Sequence, residues 1–440
     1  MSLTLLALLC AAAPSQDSTR LALETAVRLA LEHAPSLEAA RQALAGASGA
    51  VREARAQWFP QLAADGSVFR HAEPMVVAPI HGLSPGALPQ FDNTLIQGGL
   101  GLGWTLYDGG IRGGRVTQAR ALEGAARSQT ENVAQSLIAA VVQTYAEVRA
   151  ANEVVLAEEH RRAALSAEQT RVSRFLQEGR AAPLEQLRVN AAVASAEAAR
   201  ATALARVEVA EATLSRLVGL PLERTRASAL ESLRPTLGRT VSRDSLLQRA
   251  RATSPLLQAA ASRAAAAQAA IKAAGAAWYP TLRLDGRLVT YGSAAGDYST
   301  EWQSGVRVAW PIFTGGSRGA GVDRARAAAA EAEAVLRDTE LTLSNRIDLT
   351  LATVTENGRR VEALEAAVSH LAEAQRVEAL ALAQGAGTQT DFLRAEADLA
   401  GARSSLAQAR AAWIAARVEL ARWTGTLTPA AVADIVTIER

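Results

Sequence analysis

The feature that most constrains this chain is that it contains the same motifs twice, in the same order. The segment 58–62 (Trp-Phe-Pro-Gln-Leu) recurs at 278–282 (Trp-Tyr-Pro-Thr-Leu), and 104–110 (Trp-Thr-Leu-Tyr-Asp-Gly-Gly) recurs at 310–316 (Trp-Pro-Ile-Phe-Thr-Gly-Gly). A third segment, centred on Gly179, recurs around Gly385. A repeat of about half the chain predicts one structural unit duplicated within one protomer.

The spacing between the two copies changes at one place. Pro255 matches Pro35 with an offset of 220 residues, whereas Gly315 matches Gly109 with an offset of 206. The difference falls between two alternating segments, where a hairpin loop tolerates a change in length. The length change therefore supports a strand-loop-strand assignment.

Four segments alternate between apolar and polar or small residues, and this period of two predicts strands. We place the strands near 60–71, 96–107, 280–291 and 302–313. The loop 75–94 between the first two is rich in proline and glycine. The prolines from Pro74 onward rule out regular structure for most of this loop.

The rest of each repeat is predicted to be helical. Proline-free, alanine-rich sequence predicts long helices at 113–178 and 318–383 and return helices at 183–218 and 389–424. At 1.5 Å per residue the long helices would extend roughly 95 Å. In the return helices, a set of mostly small residues follows the spacing of a coiled-coil seam. They are Leu187, Ala191, Ala194, Ala198, Ala201 and Ala205 in the first, and Leu393, Ala397, Ala400, Ser404, Ala407, Ala411 and Ile414 in the second.

The predicted organisation has five parts. A signal peptide at 1–15 precedes repeat 1 at 21–219, an irregular connector at 220–243, repeat 2 at 244–425 and a C-terminal tail at 426–440. The apolar run at the N-terminus is too short to span a bilayer. It contains Cys10, the only cysteine, so the mature chain is expected to have neither disulfides nor a thiolate metal site.

Composition excludes several classes of protein. The net charge is +2 and no basic stripe is present, so we expect no nucleic-acid partner. The five histidines lack the spacing of metal ligands, and neither a catalytic triad nor a pair of catalytic carboxylates is recognisable. We therefore predict no cofactor, no metal and no enzymatic activity.

The strands predict a membrane barrel, because lipid outside and water inside would satisfy both of their faces. Four strands cannot close a barrel, whereas three copies would supply about twelve. Aromatic residues flank the strands in both repeats and would form a belt at the edge of the lipid. These residues are Trp58, Phe59, Tyr107, Trp278, Tyr279 and Phe313.

The duplicated motifs together resemble the TolC-like outer-membrane efflux protein family, over nearly all of the mature chain. The resemblance implies an α+β membrane protein whose homotrimer forms a 12-stranded β-barrel, with four strands per protomer. It also implies a long periplasmic α-helical coiled-coil barrel, whose tips meet a periplasmic adaptor protein and an inner-membrane pump.

The same resemblance assigns roles to the helical turns. The second turn matches the family pattern Gly-x-x-Thr-x-x-Asp-x-Leu at Gly385, Thr388, Asp391 and Leu393, so Asp391 is the candidate for narrowing the entrance. Some members place a second acid where this chain has Arg394, and we take Arg394 and Thr388 as further gate candidates of this turn. The first turn adds a further gate candidate, Glu185, and three docking candidates, Gly179, Pro183 and Leu187; Gly385 and Leu393 are the docking candidates of the second turn.

Two hypotheses remain open from the sequence. The first is an exit duct in the cell outer membrane that opens when partners dock. The alternative is a structural coiled-coil scaffold of the envelope that does not conduct. For Asp391 and Glu185 a simpler interpretation is also open, since carboxylates are favoured in the first turn of any helix.

Overall fold

The computed structural model describes residues 21–81, 88–235, 242–296 and 298–439. The predicted signal peptide at 1–15 and Cys10 lie outside the described residues. The first half of the chain contains α1 (Leu23–His33), α2 (Pro35–Ala56), β1 (Gln61–Val76), β2 (Phe91–Tyr107), α3 (Ile111–Gln177), α4 (Pro183–Val218), α5 (Leu222–Ala227) and β3 (Ser232–Pro235). The second half contains α6 (Arg243–Thr253), α7 (Pro255–Gly275), β4 (Thr281–Ser293), β5 (Tyr298–Ala309), α8 (Ser317–Ala383), α9 (Gln389–Trp423), α10 (Val432–Ile435) and β6 (Val436–Glu439).

The chain divides into two compact units, and the first described here holds the long strands. It comprises residues 40–130 and 256–340. Its sheet has the order β1-β2-β4-β5, and every neighbouring pair is antiparallel. The register places Leu62 opposite Leu102 and Leu288 opposite Trp302, so large apolar side chains share one face.

The first two strands are longer than predicted. Strand β1 continues to Val76 and β2 begins at Phe91, inside the segment expected to be an irregular loop. Pro74 is accommodated because the pairing of β1 with β2 shifts between Arg70 and Met75, and an irregular edge strand tolerates a missing N–H.

The last strand of the sheet is displaced from its predicted position. Strand β5 begins at Tyr298 and ends at Ala309, whereas the sequence predicted a strand near 302–313. The alternation continues to Ile312, but Pro311 cannot donate a ladder hydrogen bond. Phe313 therefore lies beyond the strand and is 88% exposed.

The second unit comprises residues 21–39, 131–255 and 341–439 of the described chain. Its main core surrounds α3, where Val141, Val142 and Tyr145 are fully buried. The Tyr145 hydroxyl donates to the backbone carbonyl of Leu21 (2.8 Å) and accepts from the backbone N–H of Glu231 (2.7 Å). One buried side chain thus ties the connector to Leu21, which precedes α1.

The connector was predicted to be irregular but is partly folded, and so is the tail. Helix α5 and strand β3 lie in the connector, and β3 pairs antiparallel with β6 of the tail. These elements are four to six residues long, which is too short to show a period in the sequence. Residues 236–241 of the connector lie outside the described residues.

In this second unit the return helix α4 packs on α3 and α9. One cluster joins Leu165 of α3 to Val193 and Ala196 of α4, with Leu393 of α9 against it. The seam predicted on α4 is not buried within one copy, because all six of its residues, from Leu187 to Ala205, are exposed. A parallel stripe is buried instead, made of Val189, Val193, Ala196, Ala203, Val207, Ala210, Leu214 and Val218.

No helix among residues 21–81, 88–235, 242–296 and 298–439 combines the length and the apolar character needed to cross a membrane.

Candidate pore-lining sheet and helical tips

The four-stranded sheet has one apolar and one polar face, because successive side chains of a strand point to opposite sides. The apolar face is largely exposed, with Trp302 at 77%, Leu62 at 72% and Val308 at 65%. It carries Leu62, Val68, Leu100, Leu102, Leu284, Leu288, Trp302, Val306 and Val308. The polar face carries Gln61, Asp65, Gln97, Gly99, Gly101, Gly103, Arg283, Asp285, Arg287, Gln303, Gly305 and Arg307.

The charges of the polar face are linked to one another. The Asp285 carboxylate lies 2.7 Å from the Nε of Arg283 and 3.6 Å from the Nε of Arg307. Arg287 of β4 reaches Asp65 of β1 at 2.9 Å, although β2 lies between these strands. Glycine fills the intervening positions of β2, so no side chain blocks that reach. This face encloses a concavity of about 650 Å³.

The predicted aromatic belt residues lie at the strand ends of this unit. Trp58 is 47% exposed and Trp278 is 52% exposed, and each ring is covered by an arginine. The guanidinium carbon of Arg112 lies 4.4 Å from the centre of the Trp58 ring, and that of Arg318 lies 4.4 Å from the centre of the Trp278 ring. The other predicted members are also exposed: Phe59, Tyr107, Tyr279 and Phe313.

The sequence did not single out Arg112, Arg318 or two further tryptophans as site residues. Trp104 donates through its indole N–H to the carbonyl of Trp58 (2.9 Å), and Trp310 donates in the same way to that of Trp278 (3.2 Å). The signal was available, because each arginine follows a Gly-Gly pair by two residues at the same repeat offset. These arginines anchor the strand ends to the first turn of the next helix.

The Arg112 anchor is a buried ion pair. Its Nε donates to Asp108 (2.7 Å), and its guanidinium also donates to the carbonyls of Thr105 (2.6 Å) and Gln57 (3.3 Å). Burial alone would raise the pKa of Asp108. This effect is outweighed by hydrogen bonds from the backbone N–H groups of Arg112 and Gly110 and from the Arg112 guanidinium, so the pKa lies below its usual value. The carboxylate is therefore charged at neutral pH.

We expect Arg112→Met to destabilise this unit more than Arg318→Met does. Removing Arg112 leaves the Asp108 carboxylate without its cation, which we expect to lower the free energy of unfolding by about 2 kcal/mol. This loss is smaller than for most broken buried ion pairs, because two backbone N–H groups still bind the carboxylate. Arg318 faces neutral partners, the Thr314 hydroxyl and the Ile312 carbonyl. Thermal unfolding followed by circular dichroism would compare the two, and equal shifts would contradict this assignment.

The two helical tips lie in the other unit and end in the same way. Gly179 (φ 72°) and Gly385 (φ 74°) adopt the left-handed conformation that glycine allows. The N–H of Arg180 donates to the carbonyl of Phe175 (2.7 Å), and that of Ala386 donates to Ala381 (2.9 Å). Both turns therefore end their long helix with a glycine-centred cap.

The return helices begin differently. Helix α4 begins with Pro183, whereas α9 has Thr388 as its N-cap. The Thr388 hydroxyl accepts from the N–H of Asp391 (3.2 Å) and donates to its carboxylate (2.6 Å). Thr388 and Asp391 are thus brought together at the start of α9, where Asp391 has the role of a first-turn carboxylate.

The tips touch through a side chain that the sequence did not single out. A guanidinium N–H of Arg188 donates to the Thr390 hydroxyl at 3.0 Å and so links the two returns. Arg394, a predicted gate residue, points into solvent with its side chain 81% exposed and lies 3.8 Å from Asp398. Leu187 is 65% exposed, whereas Leu393 is half-buried against Leu165.

Glu396 is a second missed residue near the tip. It is 6% exposed, and its carboxylate accepts from the amide of Gln375 at 2.6 Å. Burial raises the pKa of Glu396, although this hydrogen bond and the charges of Arg403 and Arg161 act in the opposite sense. The signal was available, because Glu396 lies between Phe392 and Leu399 at the spacing of one helix face, and both of these residues are buried.

The architecture and sequence can be compared with known proteins. The sequence profile of the outer membrane efflux protein family matches residues 26–220 and 246–426. The chain belongs to this family. The expected resemblance and the expected location in the cell outer membrane are thereby confirmed.

One relative is similar to this chain in sequence, and two solved structures are similar to it in fold. The chain is 28% identical over 362 residues to outer membrane efflux protein BepC of Brucella suis biovar 1 (strain 1330), covering 79% of this chain and 76% of BepC. Its fold is similar to that of a membrane protein from Pseudomonas aeruginosa, with a TM-score of 0.79 and 23% identity over 92% of this chain and 93% of that one. The outer membrane protein VceC of Vibrio cholerae matches with a TM-score of 0.76 and 20% identity, over 92% of this chain and 96% of VceC.

Proposed function

We propose that three copies of this efflux-family protein form a passive exit duct through the outer membrane. One observation carries the proposal, namely a four-stranded sheet with an exposed apolar face, a charged and polar face and two open edges. Lipid against the first face and water against the second would satisfy both. Such a duct requires no catalytic group, since its work is sieving and docking.

The open edges are the reason for proposing several copies. In the described part of the chain β1 and β5 each pair on one side only. An unpaired edge inside lipid would leave backbone N–H and C=O groups unsatisfied. Because neighbouring strands alternate in direction, β5 of one copy would meet β1 of the next as an antiparallel pair. Three copies would give the twelve strands of a closed barrel.

The helices support the proposed periplasmic helical barrel. Helices α3 and α8 have 67 residues each, which corresponds to about 100 Å. Helix α8 leaves large apolar side chains exposed, among them Leu341, Leu349 and Leu380. Together with the exposed stripe on α4 they offer surface for neighbouring copies. We further propose that the duplicated sequence gives each copy two similar repeats in this barrel.

The tips are the proposed docking point for a periplasmic adaptor and an inner-membrane pump. Gly179 and Gly385 have open space around them, and Leu187 presents an exposed apolar side chain beside the first turn. Pro183 and Glu185 lie on the same turn as Leu187. Leu393 packs inward, so in this proposal it supports the tip from within.

We predict that Asp391→Ala raises the conductance of the purified protein about twofold or more in a planar bilayer, because a ring of carboxylates at the closed entrance would be removed. Thr388→Ala is the matched control, since it removes the cap and keeps the carboxylate, at a helix cost of about 1 kcal/mol. Equal conductance of the Asp391→Ala and Thr388→Ala variants would show that Asp391 is a helix cap and not a gate.

The same recordings test the function itself. A duct should conduct ions, weakly while its tips are closed, and should run as a heat-labile trimer on gels. The alternative, a coiled-coil scaffold of the envelope, would show no conductance and would be extracted without detergent.

A further inference from the structure

The charges on the polar face of the sheet are unevenly distributed. Arg283 and Arg307 are directly opposite each other on β4 and β5, and only Asp285 pairs with them. Arg115 of α3 lines the same concavity as Arg283, a space of about 410 Å³ at the helical end of the strands. Arg283 and Arg307 therefore share the Asp285 carboxylate, whereas Arg115 donates to the neutral side-chain amide of Gln57 (3.2 Å). We call Arg115, Arg283 and Arg307 the arginine girdle.

Two further arginines nearby already have acidic partners. Arg287 binds Asp65 at 2.9 Å and Arg112 binds Asp108 at 2.7 Å. Farther along the strands, the carboxylate of Glu301, 3.4 Å from the imidazole of His81, adds negative charge to this face. The excess positive charge of this face therefore lies in the girdle and not along the whole sheet.

The girdle is open to solvent and keeps unused donors. The side chains of Arg283 and Arg307 are 51% and 77% exposed. Arg307 lies 3.6 Å from Asp285, beyond a short hydrogen bond, so its guanidinium fork can still engage another anion. A Cβ atom at Gly103 would overlap the Arg283 guanidinium, and the space beside Gly305 is empty. Glycine thus clears the surface on which these side chains lie.

We propose that the arginine girdle is an anion filter and a transient binding site for small carboxylate-bearing solutes on their way through the duct. The inference rests on the proposed function, in which the polar face lines the pore and three copies repeat the girdle around it. Fixed charges on a pore wall act within about 10 Å at 0.1 M salt, which reaches well into a narrow lumen. Chloride and carboxylates are then favoured there over potassium.

The test is the reversal potential of the full-length protein in planar bilayers under a KCl gradient. We expect Arg307→Gln to lower the chloride-to-potassium permeability ratio about twofold and Asp285→Asn to raise it. Arg307→Lys, which keeps the charge, should lower the ratio less than Arg307→Gln does. The helical tips are identical in all four proteins, so a difference between their permeability ratios is due to the girdle.

A second measurement addresses carboxylate binding. Citrate added to the bath should reduce the chloride current of the wild type most. It should reduce that of Arg307→Lys less, because lysine keeps the charge but not the guanidinium fork, and that of Arg307→Gln least. Channels that conduct with one permeability ratio in all four proteins and without a citrate effect would overturn the filter and leave the duct intact. Absence of any conductance in the wild type and in the variants would overturn both.

Discussion

Trp302→Arg should abolish the heat-labile trimer. Trp302 lies on the apolar face of β5, in register with Leu288 of β4, and is 77% exposed. In the proposed barrel that face contacts lipid near mid-strand, where an arginine costs roughly 2–4 kcal/mol. The cost recurs in every copy, and the aromatic contact with lipid is lost as well. Unboiled gels of outer-membrane fractions would measure the trimer that remains.

The adjacent residue supplies the control. Gln303 is exposed on the polar face of the same strand, opposite Arg287. Arginine at 303 would face water in the lumen, so Gln303→Arg should assemble like the wild type. The two variants introduce the same side chain one residue apart, on opposite faces. If both assembled, or if neither did, the apolar face would not be the lipid-facing one.

Gly425→Ala should destabilise the helical unit severely. Gly425 ends α9 in the left-handed region (φ 70°), and an added Cβ would overlap the backbone carbonyl of Thr253 and lie 2.8 Å from the backbone N of Ser254. Backbone atoms cannot move aside as a flexible side chain can, so the turn between α6 and α7 would have to shift. We expect a loss of about 4 kcal/mol or more.

Two other glycines separate the overlap from the backbone conformation. Gly385 has a similar φ of 74° but open space around it, so Gly385→Ala should cost only about 1–2 kcal/mol. Gly219, which ends α4, would place a Cβ 3.1 Å from the Cβ of His33, and its alanine variant should lie in between. Thermal melts followed by helical circular dichroism should rank the three variants in this order. Three equal shifts would show that backbone strain alone matters.

The sequence predicts the ends of the helices better than the ends of the strands. Gly179, Pro183 and Gly385 act locally, because a left-handed glycine or a proline at a helix start needs no distant partner. The extent of β1 depends on β2, since pairing continues past Pro74 only through a change of register. That information is in the partner strand and not in the local pattern.

The buried face of α4 shows a second limit. Two parallel stripes of this helix have the spacing of a seam, one beginning at Leu187 and one at Val189. The Val189 stripe is buried and contains Val193 and Val207, whose packing removes more apolar area from water than alanine does. In a helix so rich in alanine, spacing alone could not decide between the stripes, and side-chain volume was the better guide.

The girdle shows a third limit. Alternation identified the polar face, but not that Arg283 would lie over Gly103 or that Arg287 would cross β2 to reach Asp65. Those contacts depend on the register among three strands. A shift of one residue would place the same arginines on the opposite face.

Disulfide cross-linking between β1 and β5 tests the central claim most directly. Cys10 is the only native cysteine, so a cysteine-free background is simple to make. Within one copy β1 and β5 are three strand spacings apart, roughly 14 Å, and a disulfide requires Cα atoms less than about 7 Å apart. Any bond between these strands must therefore join two copies.

One cysteine would replace Ala63 in β1, and a second would be moved along β5 through the polar-face positions 299, 301, 303 and 305. Closure by three copies predicts that at least one pair gives covalent dimers and trimers in intact outer membranes, with nothing larger. If no cysteine pair gave a covalent dimer, or if covalent species larger than trimers formed, the barrel proposed here would be contradicted.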